Sequence, residues 1–274
     1  KLIQTLAYDR DARFGEPFDG VNVTNGLLVH DGLYFELQPH RKEHYLLSQL
    51  PVAYDPTAEC PRFRQFLGEI FDGEDDATEK ADTLMELIGY TLIPTARYEK
   101  FALLVGNGAN GKSVLLDVLC ALLGPHCIAS VSPEKLDNPF QRGYLIGKLA
   151  NVVTEIAQGA VINDAALKAL TSGEPTTAEH KYRAPFTFRP YATCWFATNH
   201  MPHTRDFSDA LYRRACVIKF NQTFTGKRCD PHLKEKLLGE LPGILNMALS
   251  AVGWVLAGAD FTEPTSMTQA RQEW

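Results

Sequence analysis

The spacing of apolar positions changes twice along the chain, and each change marks a different kind of element. In "VNVTNGLLVHDGLYFELQP", short apolar or alternating runs are separated by Asn25-Gly26 and Asp31-Gly32, a pattern that predicts a small β element with tight turns. After "SQLPVAYDP" the period lengthens: Phe63, Phe66, Leu67, Ile70 and Phe71 follow Pro61 at helical spacing, so a helix is expected to begin at that proline. A second helix is expected from a Thr78 cap to about Leu92, ending before Pro94.

From about Ala96 onward, short fully apolar runs alternate with helical stretches, the signature of an α/β unit with a largely parallel sheet. Strands are predicted at Phe101 to Val105, Leu149 to Thr154, Thr193 to Ala197 and Ala215 to Phe220. Between them a helix runs from Lys112 to Leu123, with Val114, Leu115, Val118, Leu119 and Leu122 inward and Gly124-Pro125 as its stop. Another runs from about Asp164 to Leu170 and is stopped by Gly173. The last fifty residues read as two helices, with Pro242 separating them or starting one. These shifts divide the chain into a lead-in module (1–95), an α/β core (96–225) and a C-terminal helical segment (226–274).

Composition adds three constraints. A chain of 274 residues with 45% hydrophobic content is globular, and its longest apolar stretch, Ile244 to Ala259, is too short and too glycine-broken to span a bilayer. That stretch is expected to be a core helix. No basic apolar leader opens the sequence, and six cysteines lie scattered without a CxxC pair. Buried thiols, no zinc site and a cytoplasmic location in a bacterial host cell are the expectation. The net charge of −6 excludes a protein that coats nucleic acid over its whole surface, but positive charge gathers locally at Lys181, Arg183, Arg189, Arg205, Arg213 and Arg214.

The strongest chemical signal is "GNGANGKS", Gly106, Asn107, Gly108, Ala109, Asn110, Gly111, Lys112 and Ser113, which fits GxxxxGK[ST]. Its glycines let backbone N–H groups approach phosphate oxygens, and the helix starting beneath it, through Val114, adds a favourable dipole. Lys112 is placed to reach the β- and γ-phosphates of ATP, and Ser113 to ligate Mg²⁺. A glycine-rich surface turn would have to explain both residues at those offsets.

Hydrolysis needs a group that orients water, and "KLANVVTEIA" ends its strand in Glu155, where open α/β sheets place ligands. Glu155 is read as the water-orienting base and a second contact to the metal; no aspartate accompanies it, since Thr154 precedes it. "ATCWFATNHMP" ends in Asn199, whose amide suits a sensor of the γ-phosphate, although asparagine is also ordinary turn chemistry. Downstream, Ser208 or Asp209 is expected to cap a short helix leading to Arg213 and Arg214, either a surface pair or a source of transition-state charge stabilisation. In "TSGEPTTAEHKYRAPFTFRP", His180, Lys181 and Tyr182 fall on a predicted hairpin, either a polar tip or a contact to a single strand of nucleic acid.

Taken in order, "GNGANGKS", "LANVVTE", "SGEPTTAEHKYRAPFTFRP" and "WFATNHMPHTRDFSDALYRR" resemble the superfamily 3 helicases, specifically the helicase portion of phage and plasmid primase-helicases and their poxvirus relatives. The lead-in region is similar to the helical module that precedes the motor in that group. The resemblance implies a P-loop NTPase of AAA+ type, assembled as a ring, usually a homo-hexamer, that moves on single-stranded DNA. It implies Glu155 as the second nucleotide motif, Asn199 as the polar sensor and His180 and Lys181 as DNA-gripping residues. The arginine finger corresponds best to Arg214, with Arg213 and Arg205 as competitors. It also implies an upstream primase or primase-polymerase domain, a phage or mobile-element source, and no membrane partner. Paired acids in the animal-virus branch stand where this chain has Thr154-Glu155, which bears on direct metal ligation. A small-molecule kinase and a noncatalytic nucleotide-binding scaffold are the rival readings; the first needs an acceptor pocket, the second no Glu155 or Asn199.

Overall fold

The computed structural model describes residues 19–204 and 209–274; Arg205 and Ser208 lie outside the described residues. Strands β1 (Gly20–Val23), β2 (Gly26–His30) and β3 (Phe35–Gln38) form an antiparallel sheet in that order. The first turn falls on Thr24-Asn25, one residue earlier than expected. Gly26 is required inside the strand instead, because a Cβ there would lie 2.6 Å from the Gln38 carbonyl oxygen. The second turn forms as predicted, with Asp31 Oδ1 accepting from the N–H groups of Leu33 and Tyr34 at 2.8 and 2.7 Å and Gly32 at φ 106°.

Two helices follow, α1 (Pro61–Ile70) and α2 (Ala77–Thr91). The predicted apolar stripe of α1, Phe63, Phe66, Leu67 and Ile70, is buried. Its first N–H groups, on Arg62 and Phe63, donate to the Glu240 carboxylate at 3.0 and 2.8 Å, so a residue far along the chain satisfies this helix end. The cap of α2 is Asp76 rather than Thr78, which lies in the first turn. No side chain closes this end, because the Asp76 carboxylate accepts from the Ser266 N–H at 2.7 Å instead.

The α/β region carries β4 (Phe101–Val105), α3 (Lys112–Leu123), β5 (Ile128–Ala129), α4 (Pro139–Arg142), β6 (Ala150–Val153), α5 (Asp164–Thr171), the hairpin β7 (Thr176–Ala178) and β8 (Phe186–Phe188), β9 (Thr193–Thr198), α6 (Asp209–Tyr212) and β10 (Ala215–Lys219). Five of these strands make a parallel sheet in the order β10-β4-β9-β6-β5. The four longer ones match the apolar runs, as strands buried on both faces do; the two-residue β5 has no period to read. On α3, Leu116 is buried and Val114 only half-buried, the reverse of the expected pair.

Three helices close the chain instead of two: α7 (Leu233–Leu238), α8 (Leu241–Leu256) and α9 (Thr265–Glu273). Pro242 lies in the first turn of α8, where its missing N–H costs nothing. The polar α9 buries only Met267 and Ala270 and is tied to β10 by Arg271 Nε, which donates to the Ala215 carbonyl at 2.7 Å. Among the described residues no helix is long and apolar enough to cross a membrane.

One apolar cluster fills the face of the sheet towards α2, α3 and α8, and includes Phe63, Leu119, Trp195 and Leu245. Trp195 Nε1 donates to Thr91 Oγ1 at 2.9 Å, fixing α2 to β9. A second cluster, with Leu103, Leu167, Phe196 and Val217, covers the other face.

Within these layers burial pushes the thiols of Cys194 and Cys216 up to about 12 and about 11. Their folded pKa lies above the unfolded one, so their contribution is complete below about pH 8.5 and is lost as pH rises through 11 to 12. The urea midpoint is therefore expected to fall steadily above pH 9, and the Cys194→Ala, Cys216→Ala double variant to show a flatter alkaline limb.

Candidate functional site

The parallel register brings Val105, Val153, Thr198 and Lys219 to one edge of the sheet, so the segments leaving β4, β6 and β9 open into the same cleft. The loop from Gly106 to Gly111 leaves β4 and enters α3 with Gly108, Ala109 and Gly111 at φ 36°, 49° and 93°. Such successive left-handed residues turn backbone N–H groups inward, the geometry of an anion nest. Gly111 admits no other residue: a Cβ would lie 2.7 Å from Ile70 Cγ2 on α1. Gly111→Ala is expected to cost about 1–3 kcal/mol, read as a lower urea midpoint.

Lys112 is 6% exposed and folds back on its own loop, its Nζ donating to the Gly106 carbonyl at 2.5 Å and to Asn110 Oδ1 at 3.1 Å. Desolvation holds its pKa below the usual lysine range. Asn110 is buried as well, with its Nδ2 donating to the Phe220 carbonyl at 3.4 Å, which links the loop to the end of β10.

The cleft has a volume of about 450 Å³. Gly108 through Val114 line it, whereas Gly106 and Asn107 do not. Thr154, Glu155, Thr198 and Asn199 form its far wall, so the loop lysine, the acid and the amide chosen from sequence share one space. Glu155 and Asn199 are exposed to it, and Thr198 holds the turn after β9 by accepting from the His200 N–H at 3.1 Å and donating to its carbonyl at 2.5 Å. Ser113, Thr154 and Glu155 offer only hydroxyl and carboxylate oxygens, a hard donor set that suits Mg²⁺ with waters completing its shell. Among the described residues no group of three or more His, Cys, Asp or Glu gathers as a metal cage.

The remaining wall was not legible in the sequence. It comes from Arg62, Phe66 and Glu69 on α1 and from the segment Phe224 to Lys234. The Phe224 N–H donates to the Ala109 carbonyl at 2.7 Å, Arg228 lies 5.3 Å over the Phe224 ring, and Lys234 pairs with Asp117 of α3 at 2.8 Å. This segment has no periodicity, and only its position after the last strand could have pointed to the cleft.

The arginines and the hairpin lie elsewhere. Ala215 pairs with Phe101, so Arg213 and Arg214 stand at the opposite edge of the sheet, a strand length of about 16 Å from the phosphate loop. Arg213 is exposed. Arg214 is buried, its guanidinium pairing with Glu99 at 2.6 Å and donating to Ser172 Oγ at 2.9 Å and the Ala210 carbonyl at 2.5 Å. The β7–β8 hairpin leads into β9 at this same edge. At its tip Tyr182 is 92% exposed with φ 65°, Lys181 Nζ lies 5.0 Å from its ring, and His180 packs on Phe186 with 5.0 Å between rings.

Residues 17–72 match the family described as D5 N terminal like, and residues 104–214 match a family of unknown function, DUF5906. The chain is 30% identical over 155 residues to a provisionally named helicase of Acanthamoeba polyphaga mimivirus, covering 52% of this chain and 15% of that one. It is 24% identical over 246 residues to a provisionally named helicase of Invertebrate iridescent virus 3, covering 81% and 26%. The chain thus spans about a quarter or less of these relatives. Among solved structures it resembles the apo C-terminal region of NrS-1, with a TM-score of 0.62 at 17% identity over 80% of this chain and 52% of that one.

Proposed function

We propose that this chain is the ATP-driven motor of a DNA helicase of the primase-helicase type, a reading supported by the D5 N terminal like match and by the helicase names of the viral relatives, with the fold shared with the NrS-1 C-terminal region consistent with it. It acts as a ring of identical subunits, usually six, on single-stranded DNA, beside a primase or primase-polymerase domain of the full-length protein. One observation carries the reading. The phosphate loop, Glu155 and Asn199 converge on one cleft, while the arginines and the aromatic-tipped hairpin occupy the opposite edge of the sheet. Phosphoryl transfer to water needs cationic stabilisation beyond Lys112, and the other cations of the cleft wall are engaged, Arg62 with Glu69 at 3.1 Å, Lys234 with Asp117 at 2.8 Å and Arg228 over the Phe224 ring, so in this reading an arginine at the far edge serves a neighbour's cleft.

In this reading ATP draws Lys112 away from Gly106 and Asn110 to the β- and γ-phosphates. Ser113, with Glu155 nearby, would hold Mg²⁺, which when bound would supply charge neutralisation at the phosphates. Glu155 orients the attacking water, and the Asn199 amide donates to the γ-phosphate without adding charge. Arg213 reaches the γ-phosphate from the adjacent subunit, since the Arg214 guanidinium is committed within its own chain. His180, Lys181 and Tyr182 hold the strand, and loss of the γ-phosphate shifts neighbouring subunits and carries the hairpin with them.

The test is ATP hydrolysis with and without single-stranded DNA. Lys181→Ala is expected to keep the basal rate and lose the stimulation; if it keeps full stimulation, the hairpin assignment is wrong. Tyr182→Ala is expected to weaken single-strand binding by about 1–3 kcal/mol.

A further inference from the structure

The arginine edge and the hairpin are joined by one buried side chain. Arg214 donates to Ser172, which ends α5 immediately before the hairpin, and to the Ala210 carbonyl of α6, the short helix that delivers Arg213. Its ion-pair partner Glu99 lies in the turn before β4, closed by the Glu99 N–H donating to the Ala96 carbonyl at 3.1 Å. The same turn supports the hairpin's root: a Cβ on Gly173 would lie 2.8 Å from the Ala96 Cβ and 3.3 Å from the Pro190 carbonyl oxygen. Gly173 and Pro190 are the entry and exit of the hairpin, and Arg189 donates across that root to the Gly173 carbonyl at 3.4 Å. Glu99 holds this turn at φ 55°, a conformation that a non-glycine residue adopts only when its surroundings fix it.

We propose that Arg214 is a positioning residue that couples the exposed Arg213 to the root of the 176–188 hairpin, so that engagement of a neighbour's nucleotide and the placement of His180, Lys181 and Tyr182 change together. The proposal rests on the motor reading above. It assigns Ser172 and Glu99, which touch neither the cleft nor the hairpin tip, a role in transmission. A bond from a rigid guanidinium to the hairpin side and another to the arginine side is what such a role requires: either bond can be cut while the other stays.

The experiment compares wild type, Ser172→Ala, Glu99→Gln, Lys181→Ala and the Ser172→Ala, Lys181→Ala double variant, each assayed for ATP hydrolysis with and without oligo-dT and for thermal stability. Ser172→Ala cuts only the hairpin side, so its basal rate is expected to stay near wild type while the stimulation ratio falls about two- to tenfold. Glu99→Gln loosens both sides and is expected to lower basal rate and ratio together. Lys181→Ala removes the stimulation, so in the double variant Ser172→Ala is expected to leave the basal rate at that of Lys181→Ala, because it acts only through the hairpin.

An unchanged stimulation ratio in Ser172→Ala overturns the proposal, and so does a proportional fall of both rates with a lowered melting temperature, which marks a merely structural bond. A basal rate in the double variant well below that of Lys181→Ala overturns it as well. A wild type indifferent to oligo-dT overturns the motor reading itself and the coupling with it, and the wild-type arm alone tells that failure from the others.

Discussion

Lys112→Ala is expected to lower ATP turnover at least about a hundredfold while leaving the fold as stable as before or more so. Both halves follow from the same geometry. The ammonium is the one side-chain cation held inside the Gly106–Gly111 loop, and in the proposed reaction its removal takes away the group that follows charge onto the β–γ bridge as that bond breaks. Its burial is unfavourable in the absence of ligand, shown by a pKa held below the ordinary range, and its partners are a backbone carbonyl and a neutral amide rather than a carboxylate. Deleting it therefore relieves a desolvated charge. Phosphate release and a thermal melt on one preparation check the pair of effects. Turnover above about a tenth of wild type would move the hydrolytic site away from this cleft.

Arg213→Ala is expected to reduce turnover by about a thousandfold, the scale on which finger arginines act. The stronger test is mixing. Each variant by itself is expected to be nearly inactive, but a mixture contains interfaces in which one subunit supplies an intact loop and its neighbour an intact arginine. Part of the activity is expected to return at those interfaces, rising with the extent of subunit exchange. Mixtures that stay inactive, from variants that each assemble, would place both residues in one subunit's chemistry. The distance argues the other way, since five paired positions of β10 and β4 separate Arg213 from the loop of its own chain.

The parts legible in the sequence were those governed by local rules. Strand, glycine loop and helix from Phe101 to Leu123 follow from a buried apolar run, left-handed glycines and a helical stripe, and each forms where those rules place it. That Glu155 and Asn199 line one cleft was legible because the ends of parallel strands gather at one side of a sheet, a rule that needs no tertiary detail. What escaped was set by distant partners. Asp76 supplanted Thr78 at the start of α2, and its carboxylate serves a helix almost two hundred residues later. The wall formed by Phe224 to Lys234 belongs to the cleft only because β10 ends beside the phosphate loop. That Arg214 is buried and Arg213 exposed was also beyond local reading, since nothing near them in sequence announces Glu99 or Ser172 as partners.

Thr91, at the end of α2, receives the indole N–H of Trp195 in the middle of the parallel sheet, and α2 packs along α8. A minimal catalytic fragment cut at residue 96 would strip that sheet of part of its cover, leaving the tryptophan donor unanswered and Ala248 and Val252 facing water. Expression boundaries for this protein are better set ahead of β1, and a shortened version that aggregates would report a broken interior, not an inactive enzyme.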